Sequence, residues 1–301
     1  MDISVYFSPS GIRIAVGSFS KGNFSLKRLI SYSTERDSII GGVITNDKAL
    51  KYAVSAVWRE YKLPKRNVRL VIDGGAVLLR PMTVPTAGKR RVESIIRGQF
   101  SDVENAEGLL IDYTVDEPAL KNGGASVYAY AAQRDFIGSY VDIFRECGIK
   151  IKSINTAQNS CINYMKLTRA AEGKSCILAC ADGNALLMLL FSNGRYRFSN
   201  RVRLFADRET CEYAEEICSA VSQMIQFHKS QKHGSGLTDI FFCGLGSDHN
   251  EVIYTAQSSF GNLNISDLPI PVGCMLRMES GMSNNAEVFS DYVYCLGNFI
   301  E

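Results

Sequence analysis

The chain has 301 residues, 46% hydrophobic and 21% charged, with a formal net charge of +2. That balance suits one large or two ordinary globular domains and gives no electrostatic footprint for nucleic acid. The longest apolar stretch, Ala185 to Phe191, is strand-sized and far too short to cross a bilayer.

The chain opens on a hairpin. Ser4 to Phe7 is strand, Ser8-Pro9-Ser10-Gly11 is turn, and Ile12 to Val16 is strand. The start lacks a basic flank followed by an apolar signal segment, so the chain reads as cytosolic. A third strand spans Ser25 to Ser33. Thr45-Asn46-Asp47 is a helix-start signal, and Ala49, Tyr52, Ala53, Ala56, Val57 and Tyr61 then share one helical face. The helix stops before Pro64, and Val68 to Asp73 is a short buried strand. This first unit is β-β-β-α-β.

Residues 77–157 follow a different pattern. "VLLRPMTVP" is extended, because Pro81 and Pro85 exclude a long helix. "GKRRVESIIRGQFSDV" is helical, with a basic start at 88–91 that reads as a solvated face before a docking patch for an acidic partner or the membrane surface. "GLLIDYTVDEP" and "ASVYAYAAQ" are strands joined through Gly123-Gly124. The second should show Tyr128 and Tyr130 on an exposed face. "RDFIGSYVDIFRECG" is a helix ended by Gly148, and "IKIKSINTA" is a further strand. The whole reads as a β-α-β-β-α-β insertion.

The opening pattern then restarts. Strands at Cys176–Ala181, Leu186–Phe191 and Tyr196–Val202 lead into a helix from about Asp207 to Lys232. "TDIFFCGLGSDHNEVIYTAQSSF" is strand, Gly-rich turn and helix. "LNISDLPIP" carries the last strand and "NNAEVFSDYVYCLGNFIE" a closing helix. A β-β-β-α unit at 3–61 and again at 176–232 implies two similar lobes facing each other, and ligands favour such clefts.

Chemistry-bearing residues are sparse. The nine cysteines form no Cys-x-x-Cys pair, so they read as buried reduced thiols rather than zinc ligands or disulfides. His228, His233 and His249 fit no ligand spacing and read as surface histidines. Cys243-Gly244-Leu245-Gly246-Ser247 runs from strand into helix and suits a phosphate or adenine, or simply a tight turn. Asp182-Gly183 reads as a hairpin turn.

Several stretches together resemble the PilM family of type IV pilus assembly proteins, which have actin-like ATPase folds related to the division protein FtsA. The family's hairpin, Asp-x-Gly-Ser-x-x-Ile-Lys, lies over Tyr6-Phe7-Ser8-Pro9-Ser10-Gly11-Ile12-Arg13. Its Gly-x-Ile-x-Asp step is similar to Gly42 to Asp47. "VRLVIDGGAVLLRPMTVP", "VYAYAAQRDFIGSYVDIFRECGIKIKSINTAQNS", "FSNGRYRFSNRV" and "AVSQMIQFHKSQ" follow in the family's order. The similarity covers residues 3 to 299.

The resemblance implies an α/β, actin-like (ribonuclease H-like) two-lobe fold with the inserted subdomain. Residues 1–76, with 158–172 and the closing helix at 284–301, would form the first lobe. Residues 77–157 would be the insertion and 173–283 the second lobe. An actin-type cleft needs two phosphate hairpins, each with close backbone N–H groups and an Asp that holds hydrated Mg²⁺. Here Tyr6 and Ser8-Pro9 replace Asp and Gly-Ser, and Pro9 removes a donor. Counting back from Phe191 puts Cys180 at the second Asp position; a hairpin shortened by two residues would bring Asp182 there instead. Arg13 stands where the family has Lys and could still meet a phosphate, but reads most simply as a solvated charge. The expectation is a vestigial cleft marked by Ser10, Gly11, Arg13, Asp182, Gly183, Gly244 and Gly246, with no catalytic residue, metal or cofactor. ATP with Mg is the alternative, in an FtsA-like protein that cycles or polymerises.

The family further implies a cytoplasmic scaffold at the inner face of the membrane. It would bind the cytoplasmic N-terminal segment of a PilN-like membrane protein, along an edge of the inserted sheet or in a groove beside the first lobe. Pilus assembly ATPases and a second copy of the chain are the further partners implied, and nucleic acid is not one.

Overall fold

The computed structural model describes residues 1–9, 11–119, 123–231, 236–271, 274–276 and 289–300. Ser10 and His233 lie outside them, as does most of the closing segment before Phe289.

The opening hairpin pairs β1 (Asp2–Ser8) with β2 (Gly11–Ser20), and β3 (Asn23–Ser33) continues the meander. A two-residue pair, β4 (Ile39–Ile40) and β5 (Val43–Ile44), precedes α1 (Asp47–Glu60). Asn46 caps α1, its side chain accepting from the Ala49 amide at 3.1 Å. The buried face of α1 is Leu50, Ala53, Val54, Ala56, Val57 and Trp58. This departs from the expected stripe, since Tyr52 is 72% exposed. The competing stripe carries Leu50 and Trp58 and so removes more apolar area from water. Next comes β6 (Val68–Ile72), which lies parallel to β1.

Residues Gly74–Ile143 separate by contacts as a compact unit of their own. It holds β7 (Val77–Val84), α2 (Lys89–Gly98), β8 (Leu109–Glu117), β9 (Ala125–Gln133) and most of α3 (Arg134–Glu146). Its three-stranded sheet runs β7-β9-β8, and Val92, Ile96 and Phe100 pack on Val127, Ala129 and Ala131. Lys89, Arg90 and Arg91 at the start of α2 are exposed. The expected tyrosine face is not exposed: Tyr128 and Tyr130 are 2% and 8% accessible. As the central strand, β9 is covered on both faces.

The expected insertion, 77–157, is too long at its C-terminal end. The strand β10 (Ile151–Thr156) pairs in parallel with β6 and belongs to the first lobe's sheet. Parallel neighbours need a crossover, and the whole Gly74–Ile143 unit sits within that crossover connection. Next, α4 (Ala157–Thr168) is capped by Thr156.

The second lobe repeats the meander with β11 (Cys176–Asp182), β12 (Ala185–Ser192) and β13 (Arg195–Arg203). After α5 (Cys211–Ser230) come β14 (Asp239–Cys243), α6 (His249–Ser259) and β15 (Asn264–Asp267), giving the order β13-β12-β11-β14-β15. One core joins Ile177, Ala179, Leu186, Met188 and Leu190 of the sheet to Tyr213, Ile217, Val221 and Met224 of α5. Each aliphatic side chain so buried contributes about 1.5–3 kcal/mol.

The strand at 264–267 is not the last. A two-residue β16 (Met275–Leu276) pairs with β3, completing a six-stranded sheet in the order β10-β6-β1-β2-β3-β16. Finally α7 (Val293–Gly297) packs on α4, β1 and β2. Asn298 donates to the Ser4 hydroxyl at 3.0 Å, and Cys295 donates to the Arg13 carbonyl at 3.4 Å.

His228 is buried rather than at the surface, while His249 is half-buried and bonded to Asp267 at 2.8 Å. Cys147 and Cys274 are half-buried and Cys211 is exposed, so the buried-thiol expectation fails for these three. Among the described residues no cluster of three metal-ligating side chains occurs, and no helix is long and apolar enough to cross a membrane.

Candidate functional site

The two hairpins close on turns of the same length. Ser8 pairs with Gly11 at the end of the first, and Asp182 pairs with Ala185 at the end of the second. Each lies two residues past the position that matters: Tyr6 in one, Cys180 in the other. The register therefore decides the sequence ambiguity, with Cys180 as the counterpart of Tyr6 and Asp182 at the turn itself.

The two turns meet. A Cβ at Gly183 would touch the Pro9 ring. Beneath them Tyr6 donates its hydroxyl proton to the Asp182 carboxylate at 2.6 Å, a buried bond between lobes. Arg13 comes within 3.8 Å of the other Asp182 oxygen and pairs with Asp291 at 3.2 Å. Arg13 is thus a largely buried cation with two carboxylate neighbours, not a solvated charge. A second cross-lobe ion pair joins Arg201 of β13 to the buried Asp73 that follows β6.

Burial raises the Asp182 carboxyl above its ordinary range, against the pull of Arg13 and of hydrogen bonds from Tyr6 and Ser8. Burial by itself would lower Arg13, but Asp182 and Asp291 outweigh it and hold the guanidinium charged. Burial, then the Asp182 charge, pushes the Tyr6 phenol well up, so Tyr6 remains a donor.

The hollow lined by Tyr6, Arg13, Cys180, Asp182, Gly244, Asp291 and Tyr294 has a volume of about 10 Å³. That is about the smallest space that admits one water. Its walls are packed: the Tyr6 and Tyr294 rings meet edge to face at 4.7 Å. On its floor Cys180 lies 3.0 Å from Cys243 and 3.8 Å from Cys161. Burial raises the Cys161 thiol, and the Cys180 hydrogen bond together with burial raises Cys243.

The Gly-Leu-Gly turn is also engaged. Gly244 has φ +74°, and a Cβ there would collide with the Ala181 carbonyl oxygen, so glycine lets β14 leave the sheet beside β11. Its amide faces the Ser290 hydroxyl at 3.4 Å. Beyond it, Arg208 donates to the Leu245 carbonyl and pairs with the buried Asp248 at 2.6 Å. The Glu209 amide takes the other Asp248 oxygen.

Of the expected positions, Arg13, Asp182 and Gly244 line one hollow. Gly11 and Gly183 sit at the turns above it, and Gly246 lies outside, against Arg208. Sequence reasoning missed Asp291, Asp73, Arg201 and Arg208. No local pattern links these residues: Asp73 meets Arg201 across the lobes, while Asp291 reaches Arg13 and Arg208 reaches Asp248 from distant parts of the chain.

A search of curated proteins finds no match by sequence. Among solved structures, the chain is similar to one in a PilM-PilN type IV pilus biogenesis complex, at 14% identity with a TM-score of 0.81, covering 99% of this chain and 97% of that one. It is also similar to a Bacteroides thetaiotaomicron protein with an actin-like ATPase fold, at 11% identity and a TM-score of 0.53, covering 89% and 90%. A third is the cytoplasmic domain of EpsL, an inner-membrane component of the type II secretion system of Vibrio cholerae, at 12% identity and a TM-score of 0.50, covering 97% and 93%. The fold is actin-like. The family model for type IV pilus assembly protein PilM matches residues 3–197, and the chain belongs to that family.

Proposed function

We propose that this chain is a scaffold of a type IV pilus or related inner-membrane assembly complex, and that it works without nucleotide. Its partner is the cytoplasmic N-terminal segment of a PilN-like membrane protein, which holds the chain at the inner face of the membrane. The similar PilM chain was solved in a complex with PilN, and EpsL is an inner-membrane component of a type II secretion system.

The observation that carries the nucleotide-free reading is the Tyr6–Asp182 bond across the abutting hairpins. Mg-ATP needs a cation-binding carboxylate and open backbone N–H groups at this place. One Asp182 oxygen already accepts from Tyr6 and the carboxylate lies beside the Arg13 guanidinium, and Pro9 offers no N–H. A ligand pocket has a volume of about 300–1,000 Å³, against about 10 Å³ here. The residues present do not fit Mg-ATP. The Tyr6, Arg13 and Asp182 side chains instead bridge the lobes as a nucleotide would.

Calorimetric titration of the full chain with Mg-ATP tests this part. No heat of binding is expected up to millimolar nucleotide. Micromolar, Mg²⁺-dependent binding would establish the actin-like ATP-binding alternative.

A further inference from the structure

Two thiols face each other on the cleft floor. Cys180 is on β11 and Cys243 on β14, and the two are direct partners across these parallel strands. Neighbouring strands lie about 4.7–4.9 Å apart, within the Cα separation of about 4.4–6.8 Å that a disulfide spans. Both side chains leave the same face of the sheet, since the Cys243 thiol donates to the Cys180 sulfur at 3.0 Å. A sulfur–sulfur bond is about 2.0 Å long. Side-chain rotation can close that gap while the strands stay where they are.

Their surroundings give the two sulfurs different roles. Cys180 and Cys243 both line the hollow beneath the hairpin turns. Cys161 of α4 is the next sulfur, 3.8 Å from Cys180, but it is fully enclosed. The hollow has room for about one water, so an oxidant that arrives this way must be small. Burial by itself would raise the Cys180 thiol, but donation from Cys161 and Cys243 holds it below its ordinary value. The thiolate is the nucleophilic form of cysteine. Cys180 is therefore the attacking sulfur, with Cys243 beside it to resolve the product.

We propose that Cys180 and Cys243 are a peroxide-responsive pair that closes reversibly into a disulfide between β11 and β14. The Cys180 sulfur attacks one oxygen of hydrogen peroxide. The O–O bond breaks, a sulfenic acid forms on Cys180, and the departing hydroxide takes up a proton as water. The Cys243 sulfur then attacks the sulfenic sulfur. The S–S bond forms, the S–O bond breaks, and the hydroxyl leaves with the Cys243 proton as a second water. Two thiols lose two electrons and the peroxide gains them. The bridge clamps the last residue of β14, where the chain enters the Gly244 turn, to β11 two residues before Asp182. It depends on neither the nucleotide-free reading nor the PilN-like docking.

The test treats the folded full chain with hydrogen peroxide, in a Cys211→Ala background that removes the exposed thiol. Catalase then removes the oxidant, and the chain is unfolded, alkylated with N-ethylmaleimide and weighed by intact-mass spectrometry. Two thiols per chain are expected to escape alkylation and to return after dithiothreitol. Fragment mass spectrometry of the same sample, which needs no substitution in the cleft, should place the bridge between Cys180 and Cys243. Adding Cys161→Ala should preserve the loss of two thiols, and adding Cys180→Ala or Cys243→Ala to that variant should abolish it. Full alkylation after peroxide, a bridge between any other two cysteines, or a loss that survives Cys180→Ala would overturn the proposal.

Discussion

The Tyr6–Asp182 bond is a hydrogen bond to a buried carboxyl, and such bonds contribute about 1.5–3 kcal/mol. Tyr6→Phe should therefore lower the stability read by urea unfolding by about that amount, because Asp182 stays buried with one donor fewer. Unchanged stability would mean that the bond does not hold the hairpins together. Asp182→Asn should behave differently with pH. The folded carboxyl titrates above its ordinary value of 3.8, so its contribution is fully present below that value and is lost as pH rises through the raised one. The wild type should thus lose stability relative to Asp182→Asn between those two points; the opposite trend would show that Arg13 dominates over burial. Gly244→Ala should destabilise by at least about 1–2 kcal/mol for the left-handed backbone alone, measured by the same unfolding curves. Individual residues were legible where the constraint is local. Gly183 declares a two-residue turn and Asn46 a helix cap. The Tyr6–Asp182 pair was not legible, because its members lie 176 positions apart and neither requires the other locally.

Elements were readable from apolar runs and turn residues, and both three-strand meanders stand close to where the pattern placed them. Strand partnership was harder. "IKSINT" has the same local character whether it closes the inserted sheet or joins β6, and only the crossover geometry assigns it to β6. The two residues of β16 carry no periodic signal at all. The corrected boundary sharpens a deletion experiment. Removing all of 77–157 would take β10 out of the first lobe's sheet. Val77 and Ala132 are paired neighbours, so residues 77–132 can be excised and the ends joined by a short linker. The shortened protein should keep cooperative unfolding and lose capture by the N-terminal peptide of a neighbouring PilN-like gene in a pull-down. Undiminished capture would place the docking site outside residues 77–132.

At the scale of the whole molecule, the doubled meander implied two similar lobes and the family resemblance, carried by the order of the motifs, implied the actin-like fold, while the packing inside its cleft was not legible. Tyr6, Pro9 and Cys180 signal altered phosphate loops, but only the folded chain shows the two turns in contact and Arg13 between two carboxylates. Under the proposed function, the side chains that join the lobes take the place of a nucleotide in holding the binding surface in shape. The most direct measurement is the affinity of the full chain for the PilN-like N-terminal peptide, titrated by calorimetry with and without Mg-ATP. A segment that orders on binding gives a modest affinity, about micromolar. This account predicts that affinity in both titrations, unchanged by nucleotide; binding that appears only with Mg-ATP, or no binding in either, would contradict it.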